Sequence, residues 1–391
     1  MDFAGGKIKG YVGPQDIGAP DDVERVIVEF IAGATKTVDV AVQELDSIPI
    51  AEALIARRLA GCSVRVVLNH DYLQDSDRRA PLSPEVATVA ALAAEPGGHK
   101  VNRDIYAALC RCGIDVRIDL NPTAIFHQKY CLTDWRLDVD GDPRRGARPG
   151  LLCGSANFTH TDCHTNLNHV LVFEDVGVQS EFAVEFAETW AGEFSRGRLG
   201  KPPKTTDVGG VPVKVLFAPD HGPEAEVVKQ LLKCPKGERI DCAMFTFAGS
   251  SAIDDAMTVL AGADRTVRVV LDRGQSRPSQ AWPAARWLVE GGVEVRVPNK
   301  RPGFRKLHHK LLVVAGSTVV AGSFNYSEPA TLFNDEALVV IGSTHAESEH
   351  VDVDHDACHQ IAAFFAAEIE RIAADSEPWT SQAPADESPM A

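Results

Sequence analysis

Two short motifs of the 391-residue chain combine histidine, lysine, serine and asparagine at matching spacings. The motif H-x-K occurs at His127–Lys129 and again at His308–Lys310, and each copy is followed by G-S-x-N, beginning at Gly154 and at Gly322. In a strand, residues two apart point to the same face, so the histidine and the lysine of each copy are predicted to emerge together. The G-S-x-N turn then supplies a hydroxyl and an amide beside that face.

These side chains suit an oxyanion substrate that is attacked by a nucleophilic nitrogen. A phosphodiester fits best, because the two motif lysines together with Asn157 and Asn325 would bind its non-bridging oxygens, with Ser155 and Ser323 beside them. One histidine would attack phosphorus to form a phosphohistidine while the other protonates the leaving alkoxide and then activates water. This chemistry requires no divalent ion, and we expect no cofactor.

The motifs belong to a longer internal repeat. Residues 38–71 and 240–273 each predict an apolar strand, a loop, an amphipathic helix and a second strand that contains RVVL. The short strands 113–118 and 292–297, the H-x-K strands and the G-S-x-N turns then follow in the same order. Because the matched residues include His, Lys, Ser and Asn, a chance likeness of two α/β segments does not explain them. The pattern predicts an α/β chain of two sandwich halves related by a pseudo-twofold axis.

The repeat also predicts the domain organisation. An N-terminal half at 1–197 carries the first motif, and a C-terminal half at 211–375 carries the second. Residues 198–210 are predicted to be a linker and residues 376–391 a disordered tail. Residues 135–149, which are polar and rich in Gly, Pro and Arg, are predicted to form a loop inserted beside the first H-x-K strand. Since one chain carries both motifs, an oligomer is not required to build the site.

With these motifs the chain resembles the phospholipase D superfamily, whose signature is H-x-K-x4-D with a downstream G-S-x-N. The resemblance covers about residues 8–345. It implies mixed sheets flanked by helices in both halves and a metal-independent phosphodiesterase activity. Asp134 supplies the signature aspartate of the first motif, whereas Ala315 stands at that position in the second. We interpret Asp134 as a support, and His309, which points to the opposite face from His308, as structural.

The resemblance also implies roles for Asn168 and Glu336, which lie 14 positions after the two motif glycines. In the family, an acidic residue at this position typically orients the histidine of the opposite half. Glu336 would then hold His127 and raise its basicity, and Asn168 would hold His308 without a charge. This assigns His127 as the nucleophile and His308 as the general acid. The reverse assignment is the alternative, because two-histidine sites titrate as a unit.

The substrate class is predicted from the G-S-x-N segments and from local charge. Segments 154–159 and 322–341 resemble the nuclease branch of the family, and Phe304 is available to stack on a base. Basic residues near the motifs favour a polyanionic backbone. They are Arg144, Arg145, Arg148, Lys300, Arg301, Arg305 and Lys306. The leading hypothesis is a nuclease that hydrolyses DNA or RNA, so nucleic acid is the expected partner.

Two alternatives stay open. One is a phospholipase D-type phospholipid hydrolase or transphosphatidylase. The other is a nucleic-acid-binding protein with a degenerate site, which Ala315 and Asn168 would explain.

The overall charge, formally −16, argues against a protein that coats nucleic acid through its global field. Eleven acidic residues against one base lie in residues 343–391, so most of the acidity is remote from the motifs. The sequence shows neither a signal-peptide pattern nor a run of about 18 apolar residues. We therefore expect a cytoplasmic protein without stable membrane association.

The nine cysteines are an odd number scattered over a large chain, which predicts reduced thiols. Two clusters of metal-binding residue types match none of the usual zinc spacings, so we expect surface or packing roles for their members. The clusters are His160, Cys163 and His164, and His350, His355, Cys358 and His359.

Overall fold

The structure, a computed structural model, describes nine ranges of the chain. They are residues 1–70, 101–119, 121, 123–137, 143–195, 202–249, 251–277, 284–343 and 353–381. Within them the chain forms two nine-stranded mixed sheets and their flanking helices.

The first sheet contains eight strands from the first half. They are β1 (Asp2–Phe3), β2 (Ile8–Gly13), β3 (Thr37–Val42), β4 (Ser63–Leu68), β5 (Asp115–Ile118), β6 (Lys129–Leu137), β7 (Pro143–Gly154) and β8 (Asn166–Phe173). Their order is β1-β2-β8-β7-β6-β3-β4-β5. The strands β3, β4 and β5 run parallel, and the remaining neighbours are antiparallel.

The second half repeats this arrangement. Its strands are β9 (Thr205–Val208), β10 (Val211–Ala218), β11 (Arg239–Met244), β12 (Thr266–Leu271), β13 (Glu294–Pro298), β14 (Lys306–Leu307), β15 (Lys310–Val314), β16 (Thr318–Gly322), β17 (Glu336–Gly342) and β18 (Ser376–Pro378). The second sheet has the order β18-β13-β12-β11-β15-β16-β17-β10-β9. The exception is β14, which pairs with β8 and so joins the first sheet.

Ten helices are described, together with 3-10 turns at Ala4–Gly6 and Gln15–Ile17. They are α1 (Val23–Ala32), α2 (Ile48–Leu59), α3 (Val101–Arg111), α4 (His160–His164), α5 (Val176–Ala191), α6 (Pro223–Leu232), α7 (Ala252–Ala261), α8 (Ala284–Glu290), α9 (Glu328–Leu332) and α10 (His355–Ala374). Ser47, Asp175 and Asp354 cap α2, α5 and α10 by accepting hydrogen bonds from backbone N–H groups of the first turn. No helix in the described ranges has both the length and the apolar character that crossing a bilayer requires.

The apolar core has three layers. One outer cluster lies between the first sheet and α1–α3, and another lies between the second sheet and α6–α8. The central cluster combines apolar residues of both sheets with those of α5 and α10. This layering places the two sheets back to back around shared helices. The predicted fold class, two pseudo-twofold-related α/β halves with mixed sheets, is confirmed.

Three segments differ from the sequence prediction. The predicted loop 135–149 is instead the outer part of the β6–β7 hairpin, with residues 138–142 outside the described ranges. The predicted linker 198–210 contributes the edge strand β9, and the predicted disordered tail contributes the edge strand β18. In each case a strand edge offers backbone hydrogen bonds that a polar sequence can use as well as an apolar one. Residues 198–201 and 382–391 lie outside the described ranges, and the division into halves at 197 and 211 stays a prediction.

Candidate active site

Each motif histidine is anchored by the opposite half of the molecule. Phe126 forms a parallel bridge with Asp335, and the backbone N–H of His127 donates to the carbonyl of Asp335 at 2.9 Å. In the matching arrangement, Leu307 of β14 pairs with Leu167 of β8, and the N–H of His308 donates to the Leu167 carbonyl at 2.9 Å. These two crossings bring both H-x-K motifs to the interface between the halves.

The side chains of the opposite half then orient both imidazole rings. Nδ1 of His127 lies 2.7 Å from Oε2 of Glu336, and Nδ1 of His308 lies 3.0 Å from Oδ1 of Asn168. All four side chains are buried. With Nδ1 engaged in each ring, Nε2 is the nitrogen left to meet a substrate.

The two motif serines support these partners. The hydroxyl of Ser323 donates to Glu336 Oε2 at 2.6 Å, and the hydroxyl of Ser155 donates to Asn168 Oδ1 at 2.8 Å. Because each hydroxyl proton is already used, the serines hold the groups that orient the histidines. Sequence reasoning had placed them beside the substrate.

The motif lysines lie beside the histidines, and both ammonium groups donate to backbone carbonyls. Nζ of Lys129 donates to the carbonyl of His127 at 2.6 Å and to Gln43 Oε1 at 3.2 Å. Nζ of Lys310 donates to the carbonyl of His308 at 2.9 Å and lies 4.9 Å from the ring centre of Phe245. Carbonyls and ring faces leave both ammonium groups able to bind an anion.

The motif asparagines differ in their surroundings. Asn157 is buried, its backbone N–H donates to Asp162 Oδ2 at 2.6 Å, and its Oδ1 has no hydrogen-bond partner among the described residues. Asn325 is half-buried, and its Oδ1 accepts from the N–H of Thr246 at 3.3 Å. The side-chain oxygen of Asn157 is therefore available for a hydrogen bond in the buried part of the site.

Burial and the lysine charges control the protonation of the first pair. Burial raises the pKa of Glu336 to about 8, against the opposing charge of Lys129. Burial also lowers the pKa of His127, and the charges of Lys129 and Lys310 lower it further. Both shifts favour the uncharged forms of the two side chains, so the expected increase in the basicity of His127 is not seen. When Nδ1 carries the proton of the neutral ring and Glu336 is ionised, Nε2 of His127 holds the lone pair that attack on phosphorus requires.

The pKa values of the two lysines and of His308 are lowered as well. Burial lowers the pKa of Lys129 to about 8 and lowers the pKa of Lys310 well below its usual range. Burial, followed by Lys310 and Lys129, also lowers the pKa of His308. Because a phosphodiester brings a negative charge among these cations, its binding would raise all three pKa values.

Asp134 does not contact this cluster. Its carboxylate accepts backbone hydrogen bonds from Thr35, Lys36, Thr37 and Arg148 at 2.7–3.3 Å, at the bulge of the β6–β7 hairpin. Asp134 and Ala315 both have positive φ, 54° and 49°. The signature position is thus a strained turn in both halves, and its aspartate closes a loop in the first half. Asp134 is placed as a structural support and is not among the reacting groups.

Sequence reasoning missed two residues of the site. The ring of Phe245 packs edge-on against the ring of His308, with centroids 4.8 Å apart. Asp162 lies with its Oδ2 3.4 Å from Nδ1 of His308. The repeat marks neither of them, because Phe245 stands opposite Gln43 and Asp162 opposite Ala330 when the two halves are aligned.

The basic residues before His308 divide into two groups. Lys306 lies beside the site, with Nζ 5.3 Å from the Phe245 ring centre, and Arg305 is exposed next to it. Arg301 instead pairs with Asp375 and stacks on Phe304, which packs against the central core. These contacts hold the segment in place, and the predicted role of Arg301 and Phe304 in substrate binding stays a prediction. Lys300 is exposed.

The arginines of the β6–β7 hairpin lie away from the site. Arg145 is paired in register with Trp135, six residues along β6 from Lys129, and its guanidinium stacks on the Trp135 ring at 4.2 Å. Six strand residues span about 20 Å. Arg148 is exposed near this end of the hairpin, and the side chain of Arg144 lies outside what the structure describes. The insertion therefore lengthens the hairpin away from the histidines, and the role of Arg145 and Arg148 in substrate binding stays a prediction that this placement does not favour.

His309, predicted to be structural, lies in a buried chain of polar groups. Its Nδ1 is 3.2 Å from Nδ1 of His169, and its Nε2 is 3.3 Å from Oε1 of Glu368, which pairs with Arg371. His169 in turn accepts from the backbone N–H of Gly322 at 3.2 Å. The chain ties α10 to the second G-S-x-N turn.

No group of three or more His, Cys, Asp or Glu able to hold a metal ion occurs in the described ranges. In the first candidate zinc cluster, His164 bridges Asp16 and Glu24 at 2.6 and 3.2 Å, and Cys163 is buried in the core. In the second cluster, His359 bonds the carbonyl of Gly316, and His350 lies outside the described residues. All nine cysteines are unpaired.

The hydrogen bond to Glu24, followed by the bond to Asp16, raises the pKa of His164 to about 9. His164 is therefore protonated at neutral pH. Its contribution to stability is fully present below the unfolded pKa of about 6.5 and is lost as the pH rises through about 9. We expect His164→Gln to lower the free energy of unfolding by about 1–2 kcal/mol at pH 6 and by little at pH 10. Urea denaturation at both pH values measures this, and an equal loss at both would contradict it.

The chain matches the family model described as "Cardiolipin synthase, PLD-like domain" over residues 27–190 and 228–358, which is more than half of its length. It is 21% identical over 164 residues to the mitochondrial cardiolipin hydrolase of Danio rerio, covering 42% of this chain and 55% of that protein. The match thus spans about half the length of this curated relative.

Two solved structures resemble the whole chain. Phosphatidylserine synthase of Haemophilus influenzae Rd KW20 has a TM-score of 0.63 at 10% identity, covering 97% of this chain and 88% of its own. Polyphosphate kinase of Porphyromonas gingivalis has a TM-score of 0.52 at 14% identity, with coverages of 93% and 56%. At these identities the likeness shows a common fold.

Proposed function

Because the chain belongs to the phospholipase D superfamily, we propose that it is a phosphodiesterase that cleaves nucleic-acid backbones through a covalent phosphohistidine. The observation that carries the proposal is the cross-half pair of His127 and Glu336 at 2.7 Å, opposed across the pseudo-twofold axis by His308 and Asn168. One ring is held beside a carboxylate, and the other beside a neutral amide. This difference suits a nucleophile and a proton donor.

In the first step, Nε2 of His127 forms a bond to phosphorus, and the bond from phosphorus to the leaving oxygen breaks. His308 gives the proton on its Nε2 to that oxygen, so the product leaves as an alcohol. In the second step, water attacks phosphorus while His308 accepts a water proton and the P–N bond breaks. Both histidines return to their starting states. Lys129 and Lys310 bind the non-bridging oxygens and offset the charge that develops there.

Nucleic acid is favoured as the substrate by the surroundings of His308. Lys306 and Arg305 provide positive charge next to the motif, and the nearby segment 297–310 contains no acidic residue. Phe245 presents an aromatic ring at the same place. Cationic side chains and an aromatic ring are typical of sites that follow a single-stranded backbone.

A phospholipid is the second candidate, favoured by apolar surface on the His127 side. Ile125, Leu332 and Phe333 are 37–39% exposed around the backbone contacts that anchor His127. Phe194, which packs edge-on against Phe126, lines a cavity of about 490 Å³. Acyl chains could occupy such a surface. The named activity of the curated relative, a cardiolipin hydrolase, agrees with this candidate.

The third candidate, a degenerate nucleic-acid-binding site, has less support. Ala315 stands at the repeat position of Asp134, and Asp134 closes a loop. Asn168 still holds His308, with its Oδ1 3.0 Å from Nδ1 of the ring. The two substitutions that suggested decay therefore leave the reacting groups in place.

The unpaired cysteines further support our proposal of a cytoplasmic location.

We expect cleavage of DNA or RNA to continue in EDTA within about twofold of the untreated rate, because the lysines and histidines perform the tasks of a metal pair. The measurement is turnover of single- and double-stranded DNA, RNA and short-chain phosphatidylcholine with and without EDTA. Loss of all activity in EDTA would contradict the metal-independent mechanism. Turnover of lipid alone would favour the second candidate, and salt-dependent binding without turnover would favour the third.

A further inference from the structure

Each half carries a carboxylate that faces the histidine of the other half, but the two carboxylates stand at different positions of the repeat. In the second half, the pair at the aligned positions is Ala330 and Glu336, and Glu336 contacts His127. In the first half, the same positions hold Asp162 and Asn168. In the first half the carboxylate therefore lies on the helix α4, six residues before the position on β8 that matches Glu336.

This relocated carboxylate still reaches the histidine. Oδ2 of Asp162 lies 3.4 Å from Nδ1 of His308, and the side chain is 3% exposed. It is fixed on both sides, because Asp162 accepts from the backbone N–H of Asn157 at 2.6 Å and from the side-chain amide of Asn166. A buried carboxylate at this distance from an imidazole stabilises its protonated form.

Asn168 completes the arrangement by fixing the tautomer. Its Nδ2 donates to the carbonyls of Asp162 and Asn166, so the oxygen is the atom that faces His308. Since that oxygen only accepts, Nδ1 of His308 must carry a proton. Nε2 then gains or gives the proton that is exchanged with substrate.

We infer that Asp162 is the positioning residue and counter-charge of His308, the counterpart of Glu336 for His127. The inference rests on the proposed phosphodiesterase mechanism only for its kinetic consequence. The site then contains two carboxylate–histidine pairs of unequal strength. Glu336 contacts its histidine at 2.7 Å, whereas Asp162 acts from 3.4 Å beside an amide.

The other charged groups around His308 act in the opposite direction. Burial is the largest cause that lowers the pKa of His308. Nearby charges lower it further, and they belong to Lys310 on β15, Lys129 on β6, His127 and Lys306 on β14. Phe245, which directly follows β11, and Asn168 on β8 add no charge. Asp162 on α4 lies 3.4 Å from the ring of His308, and its charge also raises the pKa of His127, so its removal should lower the pKa of both histidines.

The first test compares Asp162→Asn with the unchanged chain. We expect the pKa of His308, measured by NMR of ¹⁵N-labelled histidines, to fall by about one unit. With a single-stranded oligonucleotide as the probe, whose alkoxide leaving group must be protonated, and an acid role for His308, we expect the alkaline limb of the kcat/KM profile to move to lower pH by a similar amount. The value of kcat should fall about tenfold at nearly constant KM. The matched control is Asp175→Asn, which removes a carboxylate that caps α5 and faces no histidine.

The second test moves the carboxylate back. The double variant Asp162→Ala/Asn168→Glu gives the first half the pair that the second half carries, and we expect it to restore the pKa of His308 and the pH profile. If Asp162→Asn does not fold, this double variant decides alone. An unchanged His308 pKa in Asp162→Asn, or no recovery in a folded double variant, would overturn the inference. If the chain hydrolyses no phosphodiester, the proposed function fails while the NMR titration still decides the role of Asp162.

Discussion

Replacing His127 by alanine should lower kcat by about 10⁴- to 10⁶-fold, because no other group at that place can form the covalent intermediate. His127 is the histidine whose Nδ1 faces a buried carboxylate, and its Nε2 carries the nucleophilic lone pair when Nδ1 donates its proton to that carboxylate. The variant should remain folded. Burial raises the pKa of Glu336 to about 8, so the carboxyl can stay protonated when its partner is removed.

The measurement is steady-state turnover of bis(p-nitrophenyl) phosphate and of the nucleic acid that proves to be cleaved, with thermal unfolding to verify the fold. His359→Ala is a suitable control, since this exposed histidine of α10 bonds the carbonyl of Gly316. A rate for His127→Ala within about tenfold of the unchanged chain would show that the catalytic assignment is wrong.

The residues of the reacting cluster were predictable because the chain carries them twice. In each half the period of the strand places His and Lys on one face, and the matched order of elements brings the G-S-x-N turn beside them. The contacts of Glu336 with His127 and of Asn168 with His308 follow the resemblance, residue by residue. No sequence period showed how the halves dock. The docking depends on the two-residue strand Lys306–Leu307 and on the single bridge from Phe126 to Asp335, which are too short to give a pattern.

The positions of the predicted substrate-binding residues were less predictable, because closeness along the chain does not fix distance in space. Arg301 precedes the second motif by seven residues, yet its guanidinium pairs with Asp375 near the end of α10. Arg145 follows the first motif, but the bulge at Asp134 and the continued pairing to Leu137 carry it along the hairpin. Asp162 is close to His308 in space but far from it along the chain, so it was missed. It lies outside the motifs, and only its three-dimensional approach to His308 identifies it.

Replacing His308 by alanine should separate the two chemical steps and trap the intermediate. With bis(p-nitrophenyl) phosphate, the leaving p-nitrophenolate needs no protonation, so Nε2 of His127 can still form its bond to phosphorus. The second step needs a base to take a proton from water, and that base is absent. We expect a burst of about one equivalent of p-nitrophenolate per chain, followed by a steady-state rate about 10³- to 10⁵-fold below that of the unchanged chain.

The trapped phosphoryl group identifies the nucleophile directly. Peptide mapping of the stalled His308→Ala protein should find it on His127, whose Nδ1 is held by Glu336, and the double variant lacking both histidines should give no burst. A burst from His127→Ala instead, with the label on His308, would reverse the two roles. Asn168 and Asp162 would then be the groups that orient the nucleophile. No label in either variant would exclude a phosphohistidine, since removal of the water-activating group leaves a covalent intermediate no efficient way to decompose.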